Sequence, residues 1–525
     1  MAMEWTFSAS LQGHRNAQGT VRRLVARTAF TFLSILLYST LPSQHFVWSA
    51  AARNDRALHH VQAVSQVDTI IHVIEERDDH ILHWMRYGRE SLGIVGRNEI
   101  VPISEERTLE YFYIHHDTLH TLSTRWNREA DYTEVFLMRY DTSGNAIGSE
   151  RLVHLRNESS EPRQSGLQCR FSPDSTRVLV FFDKDNERKQ TEGIHFKCFD
   201  RSWNLMWEKD LRLPPAPDIL QVHHFLVDNY GGVYMMSGRK PVKTASDWQR
   251  PQGGQYVVYY YNAERNKLKQ YDISLKDKQV ISVGFQLNES QGVVIAGYYS
   301  DNFQHKAAGT LLFSLQAQGG PISLAGYTPF SKEFLSDTNG REKGTLEDFY
   351  LDYVKLTSEG AIVLSGEQYY VSRSVSTDPT TGRQIVEYRY NYEDVMVCMM
   401  DSTAHHLWNV LVPKRQIASS PNDPNYSYSF VADNMGVALT FNDDSENNEP
   451  ITGKKRFETA SWIGAKNSVT TRVDIGFDGT YKRRTLLDNS LERLLFNPLM
   501  TALGIPSRLL LGFDDKRTYK FCRIP

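Results

Sequence analysis

The sequence predicts an all-β protein built from repeated four-stranded antiparallel sheets, and two observations support this prediction. Aromatic side chains, which favour strands over helices, make up 12% of the 525 residues, with 27 Tyr and 25 Phe. Short hairpins of two kinds recur along most of the chain. Because 40% of the residues are hydrophobic and only 23% are charged, the chain has enough apolar side chains to bury a large core.

The first kind of hairpin is an alternating strand, a turn rich in Asp, Asn, Ser or Gly, and a second β-rich run. Four of its glycines follow one another at intervals of 60, 68 and 76 residues: Gly232, Gly292, Gly360 and Gly436. Glycine is expected at these positions because it reaches the positive φ that tight hairpin turns require. The copies begin at Phe225, Phe285, Val354 and Phe430, with a looser copy at Phe171.

The second kind of hairpin starts with an apolar residue followed by Asp or Asn, and a strand resumes about seven residues later. We expect the Asp or Asn side chain to accept hydrogen bonds from the turn amides. Trp207 and Trp408 each lie seven residues after their Asp and are expected to pack between neighbouring sheets. The copies begin at Asp141, Asp200, Asn262, Asp401 and Asp474. Ser314 occupies the equivalent position in another segment but does not fit the Asp or Asn chemistry of the turn.

One hairpin of each kind makes a four-stranded unit, and six such units fit the chain. Pairing of the two ends, 60–107 with 488–525, would add a seventh sheet. The sequence therefore predicts a β-propeller of four-stranded antiparallel blades, with seven blades, or six or eight as alternatives, closed by pairing of the N- and C-terminal strands. Two stacked β-sandwich domains are the second architecture, but they do not explain one repeat along the whole chain. The six units span 108–155, 167–213, 221–273, 280–327, 348–413 and 427–487.

The second hairpin resembles the Asp-x-x-Gly-x-x-x-Trp repeat of quinoprotein-like propellers and of secreted propellers common in Bacteroidetes-type bacteria. Asp141 with Gly144 matches the first half of that repeat, and Asp200 with Trp207 and Asp401 with Trp408 match its ends. The resemblance covers six hairpins. It implies the propeller fold and assigns no catalytic residue.

The first 51 residues read as a secretory signal peptide. Arginines at 22, 23 and 27 precede an apolar run from Ala29 to Leu41, and the small residues Ser49 and Ala51 suit a cleavage site. The alternative is an uncleaved anchor, but a run of 13 residues is short for a bilayer, which needs about 20. We expect cleavage after Ala51, a linker over 52–65, a single propeller domain over 66–525 without a membrane span, and a periplasmic or extracellular location.

Charge and cysteine content narrow the class of protein further. The chain carries 59 basic and 62 acidic residues, a net charge of −3, so nucleic acid is not an expected partner. Disulfides are possible in an exported chain with four cysteines. The preferred interpretation is that each cysteine is a small buried hydrophobic residue, because each lies in an apolar run. The four are Cys169, Cys198, Cys398 and Cys522.

Long loops are predicted on one face, between the second and third strands of the units and between successive units. One excursion, from Tyr369 to Tyr392, is predicted to be a hairpin lengthened beyond its blade and turning at 378–382. Aromatic and arginine side chains there suit flat partners such as glycans or peptides, although half of the aromatics would cover the hairpin itself. The predicted binding residues are Trp248, Tyr369, Tyr370, Arg373, Arg383, Tyr388 and Tyr390.

No catalytic or metal-binding residue is assigned, and no cofactor is expected. Nucleophile-elbow, zinc-protease, phosphate-loop and dinucleotide motifs are absent from the sequence. Pairs such as His115-His116 and His223-His224 point to opposite faces of a strand and favour polar lining over a shared metal. Calcium is the lesser alternative to solvated acidic loops for two sets of residues. These sets are Asp183, Asp185 and Glu187, and Asp443, Asp444, Glu446 and Glu449.

The sequence therefore favours an exported, non-catalytic propeller that binds a protein or glycan partner through its long-loop face. The alternative is a propeller enzyme that acts on a polysaccharide or peptide with scattered residues at the mouth of the channel, and a quinone-dependent dehydrogenase is a weaker third. The oligomeric state stays open.

Overall fold

The computed structural model divides the chain into two compact units, one containing strands β1–β13 with β32 and β33, the other containing β14–β31. The residues that the structure describes are 47–48, 58–67, 69–77, 82–100, 107–115, 118–127, 132–156, 167–184, 193–213, 220–239, 256–301, 306–336, 346–377, 380–420, 423, 425–433, 436–448, 467–498, 509–514 and 519–523.

The first unit contains three four-stranded antiparallel sheets, each made of consecutive strands, which we call blades 1, 2 and 3. Blade 1 is β2 Leu58–Val67, β3 Ile70–Arg77, β4 Leu82–Gly88 and β5 Ile94–Ile100. Blade 2 is β6 Arg107–His115, β7 Thr118–Asn127, β8 Tyr132–Tyr140 and β9 Ala146–Arg156. Blade 3 is β10 Leu167–Phe171, β11 Arg177–Lys184, β12 Gly193–Asp200 and β13 Leu205–Arg212.

The second unit contains blades 4 to 7, built in the same way. Blade 4 is β14 Leu220–Val227, β15 Val233–Arg239, β16 Tyr256–Asn262 and β17 Lys267–Ile273. Blade 5 is β18 Gln279–Leu287, β19 Val293–Ser300, β20 Gly309–Leu315 and β21 Ile322–Pro329, followed by the short helix α1 Lys332–Ser336. Blade 6 is β22 Phe349–Leu356, β23 Ile362–Thr377, β24 Gln384–Met400 and β25 His406–Val412, and β26 Gln416–Ala418 adds to β24. Blade 7 is β27 Ser429–Asp433, β28 Gly436–Asp444, β29 Ser468–Ile475 and β30 Tyr481–Asp488, followed by α2 Asn489–Glu492 and β31 Leu494–Phe496.

The predicted fold class, an all-β propeller of four-stranded antiparallel blades, is confirmed, and seven blades of consecutive strands fit the described residues. The six predicted units correspond to blades 2 to 7. The prediction of the seventh sheet needs correction, because residues 58–100 form blade 1 by themselves rather than pairing with the C-terminal residues. Strand β2 also begins at Leu58, inside the segment assigned to a linker.

The N- and C-terminal strands do pair, but the N-terminal strand is β1 rather than a strand of the predicted segment 60–107. β32 Leu509–Asp514 and β33 Tyr519–Arg523 run antiparallel, and β1 Val47–Trp48 adds to β33 through the pairs Val47–Arg523 and Trp48–Cys522. β1 precedes the cleavage site expected after Ala51. The basic and apolar segments of the expected signal, and Ala51 itself, lie outside the described residues. No helix in the described part of the chain is long and apolar enough to span a membrane.

Within each unit, the core consists of aliphatic and aromatic side chains packed between successive blades. Between blades 4 and 5, Tyr234 and Val258 pack with Ile295 and Leu311, all at most 1% exposed. Between blades 6 and 7, Val397 packs with Leu439 and other fully buried residues. Alternation along the central strands places one set of side chains toward each neighbouring blade. All four cysteines are buried thiols, as the preferred interpretation of the sequence indicated.

The expected turn chemistry is present in most copies of the repeat. Asp200 Oδ1 accepts hydrogen bonds from the amides of Ser202 (2.8 Å) and Asn204 (2.9 Å), and the carboxylates of Asp141 and Asp401 act in the same way. The pKa of all three carboxyls lies below the usual range, mainly because the Asn204 side chain bonds to Asp200, the Thr403 side chain to Asp401 and the Asn145 amide to Asp141, with the other turn amides adding to the effect. The prediction for Asp474 is wrong. Its carboxylate accepts a hydrogen bond from the Arg472 side chain, and the turn amide there donates to Asp478 instead.

The role expected for the first-hairpin glycines is right at two positions and wrong at two. Gly360 and Gly436 have positive φ, at 82° and 132°. At the other two turns the positive φ falls one residue earlier, on Gly231 and Gln291. Gly232 and Gly292 are instead required by close contacts, since a Cβ would lie 2.4 Å from the Tyr260 hydroxyl and 2.8 Å from the Leu315 carbonyl oxygen.

The tryptophan at the end of the repeat links neighbouring blades. Trp408, on the outer strand of blade 6, donates from Nε1 to the carbonyl of Phe477 in the outer turn of blade 7 (2.9 Å). The same kind of contact joins Tyr271 of blade 4 to the carbonyl of Gly319 in blade 5 (2.6 Å). In these two pairs of blades, the outer strand of one blade therefore holds the outer turn of the next, and a distant aromatic residue makes the contact.

Candidate functional site

The most distinctive feature of the described structure is the long hairpin of blade 6. β23 and β24 have 16 and 17 residues, whereas β22 and β25 have 8 and 7. The two long strands remain paired from Tyr369–Tyr392 out to Thr377–Gln384, beyond the last pairs with β22 and β25. The lengthened hairpin that the sequence predicted is therefore present. We call residues 372–377 and 380–389 the ribbon.

The register gives the hairpin two chemically different faces, because side chains alternate along each strand and paired residues share a face. The first face carries tyrosines, aliphatic residues and one arginine. Its members are Tyr369, Val371, Arg373 and Val375, paired with Tyr392, Tyr390, Tyr388 and Val386. The second face is mostly polar. Its members are Tyr370, Ser372, Ser374 and Ser376, paired with Asn391, Arg389, Glu387 and Ile385.

The outer part of the ribbon exposes apolar side chains to solvent. Val375 is 50% exposed, Ile385 45% and Val386 38%, although all three are β-branched residues that pack well in sheets. Residues 372–377 and 380–387 are all exposed. An isolated two-stranded hairpin is at best marginally stable in water. The outer ribbon therefore combines little internal packing with three exposed aliphatic side chains.

The predicted binding residues fall into two groups. Arg373 and Arg383 are exposed on the ribbon. The tyrosines lie closer to the blade and are half-buried, since Tyr369 contacts Tyr392 (ring centroids 5.0 Å apart) and Tyr370 donates to Glu393 (3.0 Å). Tyr388 and Tyr390 are half-buried as well, and Trp248 lies outside the described residues. The tyrosines thus pack at the base of the hairpin and stay partly exposed, and their role as ligand contacts remains a prediction.

A buried ionic cluster, which the sequence did not indicate, lies at the same base. The ammonium group of Lys414, whose side chain is fully buried, is 2.6 Å from Oε1 of Glu367. Ser427 donates to Oε2 of Glu367 (2.8 Å), and the Tyr428 hydroxyl donates to Oδ2 of Asp352 (2.9 Å). We call Asp352, Glu367, Lys414, Ser427 and Tyr428 the ionic cluster.

The two carboxyl groups of the cluster titrate abnormally. Burial raises the pKa of Asp352 well above its usual value, and the nearby charge of Glu367 raises it further. Burial also raises the pKa of Glu367, although the ammonium group of Lys414 opposes this shift. One cation thus faces two carboxyls, so the cluster is electrically balanced when one of the carboxyls is protonated.

The residues suspected of metal binding have other roles where the structure describes them. Asp443 is fully buried, and its carboxylate is taken by Arg483 and by the side-chain amide of Asn447 (2.8 Å). His115 accepts from the guanidinium group of Arg201 (2.7 Å). In the described part of the chain, no group of three or more His, Cys, Asp or Glu residues is placed to hold a metal ion.

Comparison with known proteins adds weak resemblances. No family model matches the chain, and none of the curated proteins does. Among solved structures, polysaccharide lyase Uly1 is similar at 10% identity and a TM-score of 0.32, over 79% of this chain and 88% of that one. The β-propeller domain of the Trilobed protease from Pyrococcus furiosus is similar at 10% identity and a TM-score of 0.30, over 70% and 99%. Similarities of this size carry no argument about activity.

Proposed function

We propose that this protein is an exported, non-catalytic binding protein that captures a protein partner through the ribbon of blade 6. The observation that carries the proposal is the exposure of Val375, Ile385 and Val386 on a hairpin that extends beyond its blade. Exposed apolar residues grouped on one projecting element are typical of an interaction site, whereas scattered single ones are not. Export follows from the N-terminal signal that the sequence predicts.

The chemistry of the ribbon favours a protein over a glycan. Glycans stack on the free flat faces of aromatic rings. The tyrosines of the hairpin instead pack on one another near the blade, and the exposed apolar groups are aliphatic. A protein groove lined by apolar side chains would bury Val375 and Val386 on one face and Ile385 on the other. Arg373 and Arg383 would lie at the rim, where charges set orientation and association rate.

The ionic cluster supports a binding role more than a catalytic one. Both carboxylate oxygens of Glu367 are engaged, one by Lys414 and one by Ser427, and Asp352 is bound by Tyr428. A catalytic acid or base needs a lone pair or proton that reaches the substrate. Here protein groups occupy those positions.

The test is to shorten the hairpin without disturbing the blade. Ser372 and Arg389 are directly paired, so replacing residues 373–388 by the two residues Asn-Gly closes the strands with a tight turn. We expect the shortened protein to keep its far-ultraviolet circular dichroism and to lose the partners that the full-length protein captures from extracts of its source organism. Ser374→Ala, on the polar face, is the matched control. Recovery of the same partners at the same yield by the shortened protein would refute the proposal.

A further inference from the structure

A short connection packs on the base of the hairpin and is the starting point of this inference. Residues 413–420, 423 and 425–428, which we call the strap, lie between β25 and β27 and include β26. β26 pairs with β24 through Ala418–Tyr390 and Gln416–Tyr392, and Tyr426 stacks on Tyr392 (centroids 6.0 Å apart). The strap therefore extends the sheet at the point where the hairpin leaves the blade.

Glu367 holds both ends of the strap. Its two carboxylate oxygens bind Lys414 (2.6 Å) near the start and Ser427 (2.8 Å) near the end. Gln416 links the same two residues, because its Oε1 accepts from Nζ of Lys414 (3.0 Å) and from the amide of Ser427 (2.8 Å). Lys414 also donates to the carbonyl of Tyr392 in the hairpin (3.2 Å). One carboxylate on β23 thus fixes the strap, and the strap fixes the base of β24.

Asp352 lies next to this carboxylate. It occupies a bulge in β22, between the pairs Leu351–Gly366 and Tyr353–Ser365, and the amide of Glu367 donates to its carboxyl group. The Tyr428 hydroxyl, one residue beyond Ser427, donates to Asp352 (2.9 Å). Both acids therefore contact the end of the strap, and the repulsion between their two negative charges acts directly on it.

The other charged or titratable groups near the pair come from five elements, and Tyr369 of β23 and Tyr392 of β24 lie close enough for the charge of Glu367 to act on their hydroxyls. Tyr353 lies on β22 itself, and the buried Tyr298 of β19 is close enough for the charge of Asp352 to act on its hydroxyl. Asp394 of β24 accepts from the amide of Lys414 (3.2 Å), and Asp423 lies within the strap beside Tyr392. Lys414 is the cation that faces the two acids among these described groups, so a second ionised carboxyl in the pair has no counter-ion there.

We propose that Asp352, Glu367 and Lys414 form a proton-operated lock that holds the strap on the base of the hairpin and releases it when the pair loses its shared proton. The role of this lock in the protein rests on the proposed function, because release of the strap would loosen the ribbon that binds the partner. Its mechanism is independent of any partner.

The direction of the effect follows from the shifted titration. Because the pKa of each carboxyl is raised in the folded protein, the stabilisation is fully present below the unfolded-state pKa and is lost as the pH rises through the folded-state pKa. Deprotonation then places two negative charges beside one ammonium group in a buried site. The strap is therefore locked at lower pH and loosened at higher pH.

The test is amide hydrogen exchange on the full-length protein from about pH 5 to about pH 9, corrected for intrinsic exchange rates. We expect the protection of residues 414–418 and 426–428 to fall by up to about tenfold for each pH unit between the ordinary carboxyl pKa and the raised pKa of the pair, and to level off above it. Asp352→Asn mimics the protonated acid and should keep the strap protected with a flat pH profile. Asp272→Asn, at an exposed position of β17, is the control and should follow the wild type.

Glu367→Gln provides a second variant in case Asp352→Asn does not fold. It removes the charge that acts on Asp352 and should also flatten the profile, at lower overall protection because the contact with Lys414 is weakened. A flat profile in the wild type, or an unchanged slope in a folded Asp352→Asn or Glu367→Gln protein, would overturn the lock. Neither result depends on partner capture, so the lock and the proposed function can fail separately.

Discussion

Removal of the positive charge of Lys414 should destabilise the protein in a strongly pH-dependent way. The Lys414 side chain is fully buried and that of Glu367 is 6% exposed, so Lys414→Met leaves a buried carboxylate without its counter-ion. Breaking one side of a buried ion pair costs about 3–5 kcal/mol. Glu367 can avoid part of this cost by binding a proton, which becomes easier by up to about 1.4 kcal/mol for each unit of decrease in pH.

We therefore expect Lys414→Met to lower the free energy of unfolding by about 3 kcal/mol or more near pH 8, and by much less near pH 5. The assay is urea denaturation of the full chain, followed by circular dichroism at both pH values. The double variant Lys414→Met/Glu367→Gln removes the unpaired charge and should recover a large part of the loss. Equal losses at the two pH values, or a double variant as unstable as the sum of the single variants, would refute this reasoning.

Three further predictions concern the blades. Gly436→Ala should lower the free energy of unfolding by about 2 kcal/mol or more, because φ is 132° and a Cβ would lie 2.2 Å from the Ile475 carbonyl oxygen. Gly360→Ala, at φ 82° with open space around it, should cost only about 1 kcal/mol, and equal losses in denaturant titrations would contradict the comparison. Trp408→Ala removes both the hydrogen bond to Phe477 and the packing on Gly479, whereas Trp408→Phe keeps an aromatic ring in place. The thermal midpoint should therefore fall more in Trp408→Ala than in Trp408→Phe. A smaller fall in Trp408→Ala would count against the link between blades 6 and 7. The four buried thiols should react with a thiol reagent only after unfolding, since burial raises the pKa of Cys169 to about 12, and rapid labelling of the native protein would show that this burial is wrong.

The repeat made most of the fold predictable. The limits of blades 2 to 7 follow from hairpin turns whose chemistry is local, as at Asp200 and Asp401, and local hydrogen bonds are visible in a sequence. The copy at Asp474 was misassigned because Asp478 lies only four residues later and offers the same carboxylate. Blade 1 was missed because its segment, 58–100, has no recognisable copy of either hairpin, so nothing indicated that it forms a sheet by itself.

The candidate site was predictable only in part. The long hairpin was evident from alternating residues on both sides of a turn, and the exposure of Arg373 and Arg383 was expected. The packing of Tyr369 against Tyr392 depends on strand register, which the turn alone did not settle. The ionic cluster was not predictable, because Asp352, Glu367 and Lys414 are separated in the chain and become neighbours only through strand pairing and the strap.

The most direct test of the central claim is the affinity of a purified, captured partner for the double variant Val375→Ser/Val386→Thr. These two residues are directly paired on the first face of the ribbon, and burying a valine side chain in an interface contributes about 1.5 kcal/mol or more. If a partner encloses the ribbon, the double variant should bind about a hundredfold more weakly while the control Ser374→Ala binds like the wild type. An unchanged dissociation constant in a correctly folded double variant would contradict the claim that the ribbon is the binding surface.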